Sequence, residues 1–152
     1  MTPKKFLFRL LAALVSTTLL DFLWLGQLMG GFYRTELGPI VLTDPDGGFA
    51  PRLFPTIIVY LLIPLGIALF TRPAQAAAGL NPRLIPSAIK GAVFGLVLYG
   101  TYDMTNWSLL KAWTPTIALV DTAWGMALCS IGAVSASFAE SKAHLAGASH
   151  SG

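Results

Sequence analysis

Three acidic residues lie inside long apolar runs of this chain, and they are the side chains best suited to chemistry. Asp21 lies in LLDFLWLG, Asp103 in YGTYDMTNWSLLKAW and Asp121 in LVDTAWGM. An ionised aspartate at the centre of a membrane span costs about 2.5 to 3.5 kcal/mol, and such residues usually pair with one another or face a cavity. We therefore treat these carboxylates as candidate groups for ligand binding or proton transfer.

Tryptophan follows two of these aspartates at the same spacing. Trp24 lies three residues after Asp21, and Trp124 lies three residues after Asp121. Residues three apart share one face of a helix, so each indole ring is expected on the same side as its aspartate. The tryptophans could instead be anchors at the membrane–water interface, where such rings are enriched.

The third apolar run carries a four-residue repeat, in the order Gly91, Gly95, Tyr99, Asp103 and Trp107. Its two glycines form a pattern that lets helix backbones approach closely. Tyr102 and Asn106 border the polar half of the repeat, and Gly125 extends the small-residue pattern into the fourth run. The repeat therefore predicts helix packing in its first half and a polar patch in its second.

These residues form three overlapping candidate sets. The candidate ligand-binding side chains are Asp21, Trp24, Tyr99, Tyr102, Asp103, Asn106, Asp121 and Trp124. The candidate catalytic groups are Asp21, Asp103 and Asp121, and the candidate packing residues are Gly91, Gly95 and Gly125. We expect the carboxylates to face one another, other polar groups or a water-filled cavity, where mutual repulsion favours a proton on at least one of them.

The composition indicates that a membrane is the solvent for these residues. Of 152 residues, 55% are hydrophobic and 11% are charged, whereas soluble domains carry roughly 25% charge. We predict an all-α bundle of four transmembrane helices at about residues 6–29, 54–71, 84–107 and 116–138, because one crossing needs about 20 apolar residues. Residues 1–139 form one membrane domain, and the polar residues 140–152 are expected to be a disordered tail.

Two further features bear on topology. The first run is about 24 residues long and contains Asp21 and Trp24, so we expect a retained span rather than a cleaved signal peptide. Basic residues accumulate on one predicted side of the membrane, at Lys4, Lys5, Arg9, Arg72, Arg83, Lys90 and Lys142, and fewer lie on the other, at Arg34, Arg52 and Lys111. Because basic loops stay in the cytoplasm, both termini are predicted to be cytoplasmic, which places the three aspartates in the outer half of the bilayer.

Other motifs exclude several classes of protein. DPDGG at residues 44–48 lacks the remaining ligands of a calcium loop and predicts a turn. Cys129 is the single cysteine and cannot form an internal disulfide. The sequence contains no nucleotide-binding or zinc motif, so we expect no metal site, and any cofactor stays unknown. A net charge of +3 does not require a nucleic-acid partner.

Several of these motifs together resemble a known family. They are D-x-x-W in the first run, the following Phe32 and Tyr33, GAVFGLVLYGTYDMTNWSLLKAW in the third run and VDTAWG in the fourth. Over about residues 6 to 138 the chain resembles the bacterial predicted-membrane-protein family catalogued as domain of unknown function 2177. The positions that match the family pattern are Asp21, Trp24, Tyr33, Gly91, Gly95, Tyr102, Asp103, Thr105, Asn106, Trp113, Asp121, Trp124 and Gly125. The resemblance implies a four-helix protein of the bacterial inner membrane and brings no established activity.

Three classes of function are consistent with the sequence. The favoured class is a carrier or sensor that binds a small polar or amphipathic ligand, a cation or a proton at the aspartates. The second is a membrane-embedded enzyme that acts on a lipid or isoprenoid by carboxylate acid–base chemistry, and it is the less favoured. The third is a structural partner that offers its glycine grooves to other spans. Besides the lipid bilayer, the candidate partners are a second copy of the chain, which alternating access in four short helices would require, and another membrane protein.

Overall fold

The computed structural model describes residues 2–72 and 81–148, and all regular elements within those residues are helical. In chain order the helices are α1 (Pro3–Leu23), α2 (Gly30–Leu37), α3 (Leu53–Phe70), α4 (Asn81–Leu109) and α5 (Pro115–Ala148), with a π-helical turn at Trp24–Leu28 and a 3-10 turn at Gly38–Ile40. The prediction of an all-α protein is therefore confirmed.

Four helical stretches are long and apolar enough to cross a membrane: Pro3–Leu28, Leu53–Phe70, Leu84–Leu109 and Pro115–Lys142. They coincide with the four predicted spans to within a few residues at most ends. Large apolar side chains such as Phe22, Phe54 and Phe70 remain about 70% exposed on their outer surfaces. A bilayer solvates such side chains, so the four-span prediction is confirmed by both helix length and surface character.

The spans alternate in direction and form a bundle organised around α5, which packs against α4, α1 and α3. α3 lies mainly against α1 and touches α4 only sparsely. We call the end that contains Asp21, Asp103 and Asp121 the aspartate end. The opposite end, where Arg9 meets Glu140, is called the arginine end.

Glycines let the backbones of α4 and α5 approach more closely than residues with a Cβ atom would allow. An added Cβ at Gly91 would lie 2.7 Å from the Ser130 Cα atom, and one at Gly95 would lie 2.6 Å from the Gly125 carbonyl carbon. At Gly125 it would overlap the Tyr99 ring. The groove of Gly91 and Gly95 is thus filled by α5 of the same chain, which removes it as a docking surface for another protein's span.

The arginine end is closed by buried ionic contacts. The Arg9 guanidinium, 0% exposed, donates to Glu140 Oε2 over 3.0 Å and to the Ala68 carbonyl over 3.3 Å. Arg72 donates from Nε and Nη2 to Glu140 Oε1 over 3.1 and 2.9 Å. One carboxylate therefore ties α1 and the end of α3 to α5.

A disordered polar tail was expected from residue 140, and α5 extends into that segment. α5 ends at Ala148, and two arginines hold Glu140 inside the bundle. Residues 149–152 of the expected tail lie outside the described residues. Arg9, which the sequence suggested as part of the basic cytoplasmic flank, instead lies within the bundle.

The connection after α1 is shaped by a π-helical turn at Trp24–Leu28. Such turns are uncommon and frequently occur at functional sites. α2 follows and returns Tyr33 to the bundle, where its hydroxyl meets Asp121. Beyond α2, DPDGG forms the predicted turn, in which Gly47 has a φ of 80° and Asp44 Oδ1 accepts the Gly48 N–H over 2.7 Å.

Candidate functional site

Asp21 joins three spans at the aspartate end. Its Oδ2 accepts the Tyr60 hydroxyl of α3 over 2.9 Å, and its Oδ1 accepts the Trp124 indole N–H of α5 over 3.0 Å. Asp21 is therefore held in one orientation by neighbours from two other spans.

Asp121 is likewise held by a tyrosine and a tryptophan, in this case Tyr33 and Trp24. Its Oδ1 accepts the Tyr33 hydroxyl over 2.6 Å, and the Trp24 indole N–H donates to the same hydroxyl over 3.4 Å. Trp124 thus serves Asp21 directly, and Trp24 serves Asp121 through Tyr33. Each D-x-x-W tryptophan contacts the aspartate network of the other helix.

The two tryptophans also pack on each other. The ring centroids of Trp24 and Trp124 lie 4.3 Å apart with an interplanar angle of 3°. This parallel stack fixes α1 against α5 immediately beside both aspartates. The pair therefore has a positioning role in addition to any anchoring at the membrane interface.

Tyr33 remains a hydrogen-bond donor under physiological conditions. Burial raises the pKa of its phenol well above the ordinary range, and the neighbouring Asp121 carboxylate raises the pKa further. The hydroxyl therefore keeps the proton that it donates to Asp121.

A cavity of about 500 Å³ lies beside Asp21 and Asp121, within the size range of small-molecule sites. Its remaining lining is apolar or aromatic and comes from the π-helical turn, α3 and α4: Leu25, Val59, Leu62, Ile63, Phe94, Leu98, Tyr99 and Tyr102. Val59 and Leu62 are 50% and 58% exposed, and α3 contacts α4 only sparsely, so the cavity is incompletely covered on this side. Two carboxylates thus lie beside a cavity with an otherwise apolar and aromatic lining.

Acceptor capacity remains at these carboxylates. Among the described residues, none donates to Asp121 Oδ2, whereas each oxygen of Asp21 accepts one hydrogen bond. A carboxylate offers about four lone-pair positions. The unused positions on Asp121 are available to a donor in the cavity.

Asp103 occupies a separate environment. It is fully buried and accepts the Trp113 indole N–H over 3.2 Å and the Thr122 hydroxyl over 3.1 Å. These partners join α4 to the start of α5, and Asp103 does not line the cavity. The structure thus places Asp21 and Asp121 on one cavity and gives Asp103 its own set of donors.

The other predicted residues also divide into those that line the cavity and those that do not. Tyr99 and Tyr102 line the cavity, and Tyr102 also packs edge-on against Trp113 with centroids 5.5 Å apart. The Asn106 Nδ2 atom is buried without a hydrogen-bond partner in the described part of the chain. Asn106 and Asp103 therefore lie on the α4 side of the aspartate end, outside the cavity lining.

Two contributors to the site, Tyr60 and Thr122, were not identified from the sequence. Tyr60 lies within the otherwise apolar stretch IIVYLLIP of α3. A buried tyrosine hydroxyl in a span needs a partner, and that requirement was the available signal. Thr122 carried no comparable signal, because a hydroxyl next to Asp121 can also bond its own helix backbone.

A second cavity of about 620 Å³, which we call the vestibule, adjoins the first. Asp21, Leu25 and Val59 line both. The rest of the vestibule is formed by the loop after α2 and the start of α3: Ile40, Leu42, Pro51, Arg52, Pro55, Thr56 and Tyr60. The vestibule therefore places the loop residues of the aspartate end next to the site.

The fold and these contacts define a class: a multi-pass membrane protein of four spans with hydrogen-bonded carboxylates at one end of the bundle. Within that class, the family model described as "Predicted membrane protein (DUF2177)" matches residues 6–138. The chain belongs to this family, as its resemblance suggested. No curated protein and no solved structure matches the chain.

Proposed function

We propose that this protein binds a single-chain amphipathic molecule, with the head group at Asp21 and Asp121 and the apolar chain between α3 and α4. The observation that carries the proposal is the cavity of about 500 Å³ that combines these two carboxylates with an otherwise apolar and aromatic lining. Ligand sites typically pair an apolar wall with a few placed polar groups. A carrier or sensor of such a molecule is the function that this geometry supports best.

The carboxylates also indicate the chemistry of the head group. Ionised carboxylates only accept hydrogen bonds, whereas a primary ammonium group carries three donors and no acceptor. Asp121 Oδ2 has no donor among the described residues. An alkyl amine therefore supplies both the opposite charge and the missing donor.

We place this site in the outer half of the bacterial inner membrane. The proposal rests on the excess of basic residues predicted on the side of the arginine end, since basic loops are retained in the cytoplasm. With both termini cytoplasmic, the vestibule faces the outside, and the opening between α3 and α4 faces the bilayer.

The test is the binding of decylamine to the protein in nanodiscs of zwitterionic lipid. Asp121→Asn is expected to weaken binding by about tenfold or more, because a hydrogen bond to a charged group contributes about 1.5–3 kcal/mol and about 1.4 kcal/mol corresponds to tenfold. Asp21→Asn should act in the same direction. Fluorescence of the adjoining Trp24–Trp124 stack provides the readout, with calorimetry as an independent measure.

Asp103→Asn is the matched control, because this carboxylate lies at the same end of the bundle but outside the cavity. It should bind decylamine within about twofold of wild type while keeping its fold, and decanoate should bind wild type weakly because both its head group and the site are anionic. The proposal fails if both cavity variants bind as wild type does, or if the control loses as much affinity as they do. Conversion of the amine, or of a component of a lipid extract, to a new product would favour the enzyme class instead.

A further inference from the structure

The vestibule adds a cationic residue to the acidic site that it adjoins. Asp21 lies in the lining of both cavities, and Arg52 lies in the lining of the vestibule. A molecule with its head group at Asp21 would therefore have a fixed cation within the adjoining space. A head group with a single positive charge would interact with Asp21 but would leave Arg52 without a partner.

Arg52 is available to a ligand. Within the described residues, no side chain or carbonyl accepts a hydrogen bond from its guanidinium, and no carboxylate forms an ion pair with it. Arg34, the other arginine at this end, instead lies over the Phe49 ring, with 5.5 Å from the guanidinium carbon to the centroid. Of these two arginines, Arg52 is the one that lines the vestibule.

The start of α3 adds to the same electrostatic field. Arg52 is the N-cap residue of this helix, no side chain caps its first turn, and that turn contains no acidic residue. Pro55 and Thr56 of the first turn line the vestibule beside Arg52. An anion there would interact with the guanidinium and with the positive end of the helix dipole.

From this juxtaposition we infer that the ligand is zwitterionic, with an amine at Asp21 and Asp121 and a phosphate-type anion at Arg52. The inference rests on the proposed function and specifies its ligand class. A single-chain phospholipid with a phosphoethanolamine head group carries all three required groups: an apolar chain, an anion and a primary amine. Arginine binds phosphate through paired hydrogen bonds, which a lone amine cannot use.

The experiment compares three probes in nanodiscs: laurylamine, lauroyl lysophosphoethanolamine and free phosphoethanolamine. Wild type should bind the lysolipid about tenfold more tightly than laurylamine, which corresponds to one additional charge-assisted contact. Arg52→Gln should abolish that advantage and leave laurylamine binding unchanged or slightly tighter. Arg34→Gln is the matched control and should retain the full advantage.

The outcomes separate this inference from the proposal on which it rests. If laurylamine binding depends on Asp121 but the lysolipid has no advantage, or keeps it in Arg52→Gln, the zwitterion inference is wrong and the proposed function stands. If laurylamine binding is also independent of Asp121, the proposed function fails with it. Tight binding of free phosphoethanolamine, equal to that of the lysolipid, would contradict a lipid source and indicate a water-soluble zwitterion.

Discussion

Replacing Glu140 by alanine is expected to lower the free energy of unfolding by about 3 to 5 kcal/mol, the cost of removing one partner from a buried ion pair. Arg9 is 0% exposed and would keep a buried guanidinium without its carboxylate partner. Arg72, whose side chain is 38% exposed, can turn towards solvent and adds less to the loss. Reversible unfolding by steric trapping in bicelles measures the change.

Two further variants make the Glu140 result interpretable. Lys142→Ala, two residues along α5 and exposed, should change the free energy by less than about 0.5 kcal/mol. The double variant Arg9→Leu with Glu140→Leu should recover most of the lost stability, since apolar residues can replace a buried ion pair at little cost. A loss below about 1 kcal/mol for Glu140→Ala would show that the arginine end is more hydrated than these contacts indicate.

The second large effect is expected at the α4–α5 contact, where Gly95→Ala should destabilise the protein by about 1 to 3 kcal/mol through overpacking. Its Cβ would meet the Gly125 carbonyl carbon at 2.6 Å and the Met126 Cα atom at 2.8 Å. Both are backbone atoms, so the clash cannot be relieved by a change of rotamer. The helices must separate, which also displaces Tyr99 from the cavity wall.

Gly100→Ala in the same helix is the matched control for this prediction. Its Cβ would contact the side chains of Leu96 and Thr122 at 3.7 Å, an ordinary van der Waals separation. Because alanine is the better helix former by about 1 kcal/mol, this variant should be as stable as wild type or more so. Equal stability of Gly95→Ala and Gly100→Ala would contradict the close approach of α4 and α5.

The spans, and the location of the aspartates at one end of the bundle, could be predicted because both follow from properties of single segments. Length and hydropathy define a crossing, and the alternating direction of consecutive spans brings the late residue Asp21 and the early residue Asp121 to one end. Which aspartate each tryptophan contacts depends on how the helices are rotated against each other. That rotation is set by contacts such as the Trp24–Trp124 stack, which D-x-x-W spacing alone does not specify.

The arginine end could not be predicted, for a related reason. A basic residue near the start of a span is ordinarily interpreted as a topology signal, and this interpretation was applied to Arg9. Its partner Glu140 lies 131 residues away, just beyond the last apolar run, where polar composition suggested a tail. Only the packing of α1 against α5 brings the two charges together.

Asp103 illustrates a third limit of sequence interpretation. Its depth suggested that it shares a site with the other two aspartates, but depth does not specify the direction of a side chain. Asp103 instead accepts hydrogen bonds from Trp113 and Thr122 and leaves the cavity to Asp21 and Asp121. This division is why Asp103 serves as a control for the proposed site.

The most direct test of the central claim is where a bound amine lies. Decylamine with a photoreactive diazirine on its chain can be irradiated in nanodiscs with the protein, and the adducts located by mass spectrometry. The account predicts adducts at residues 59–63 of α3 and 94–98 of α4 that excess decylamine suppresses and Asp121→Asn reduces. Adducts spread over outward-facing residues such as Phe22, Phe54 and Phe70, unaffected by competitor or by the variant, would contradict it.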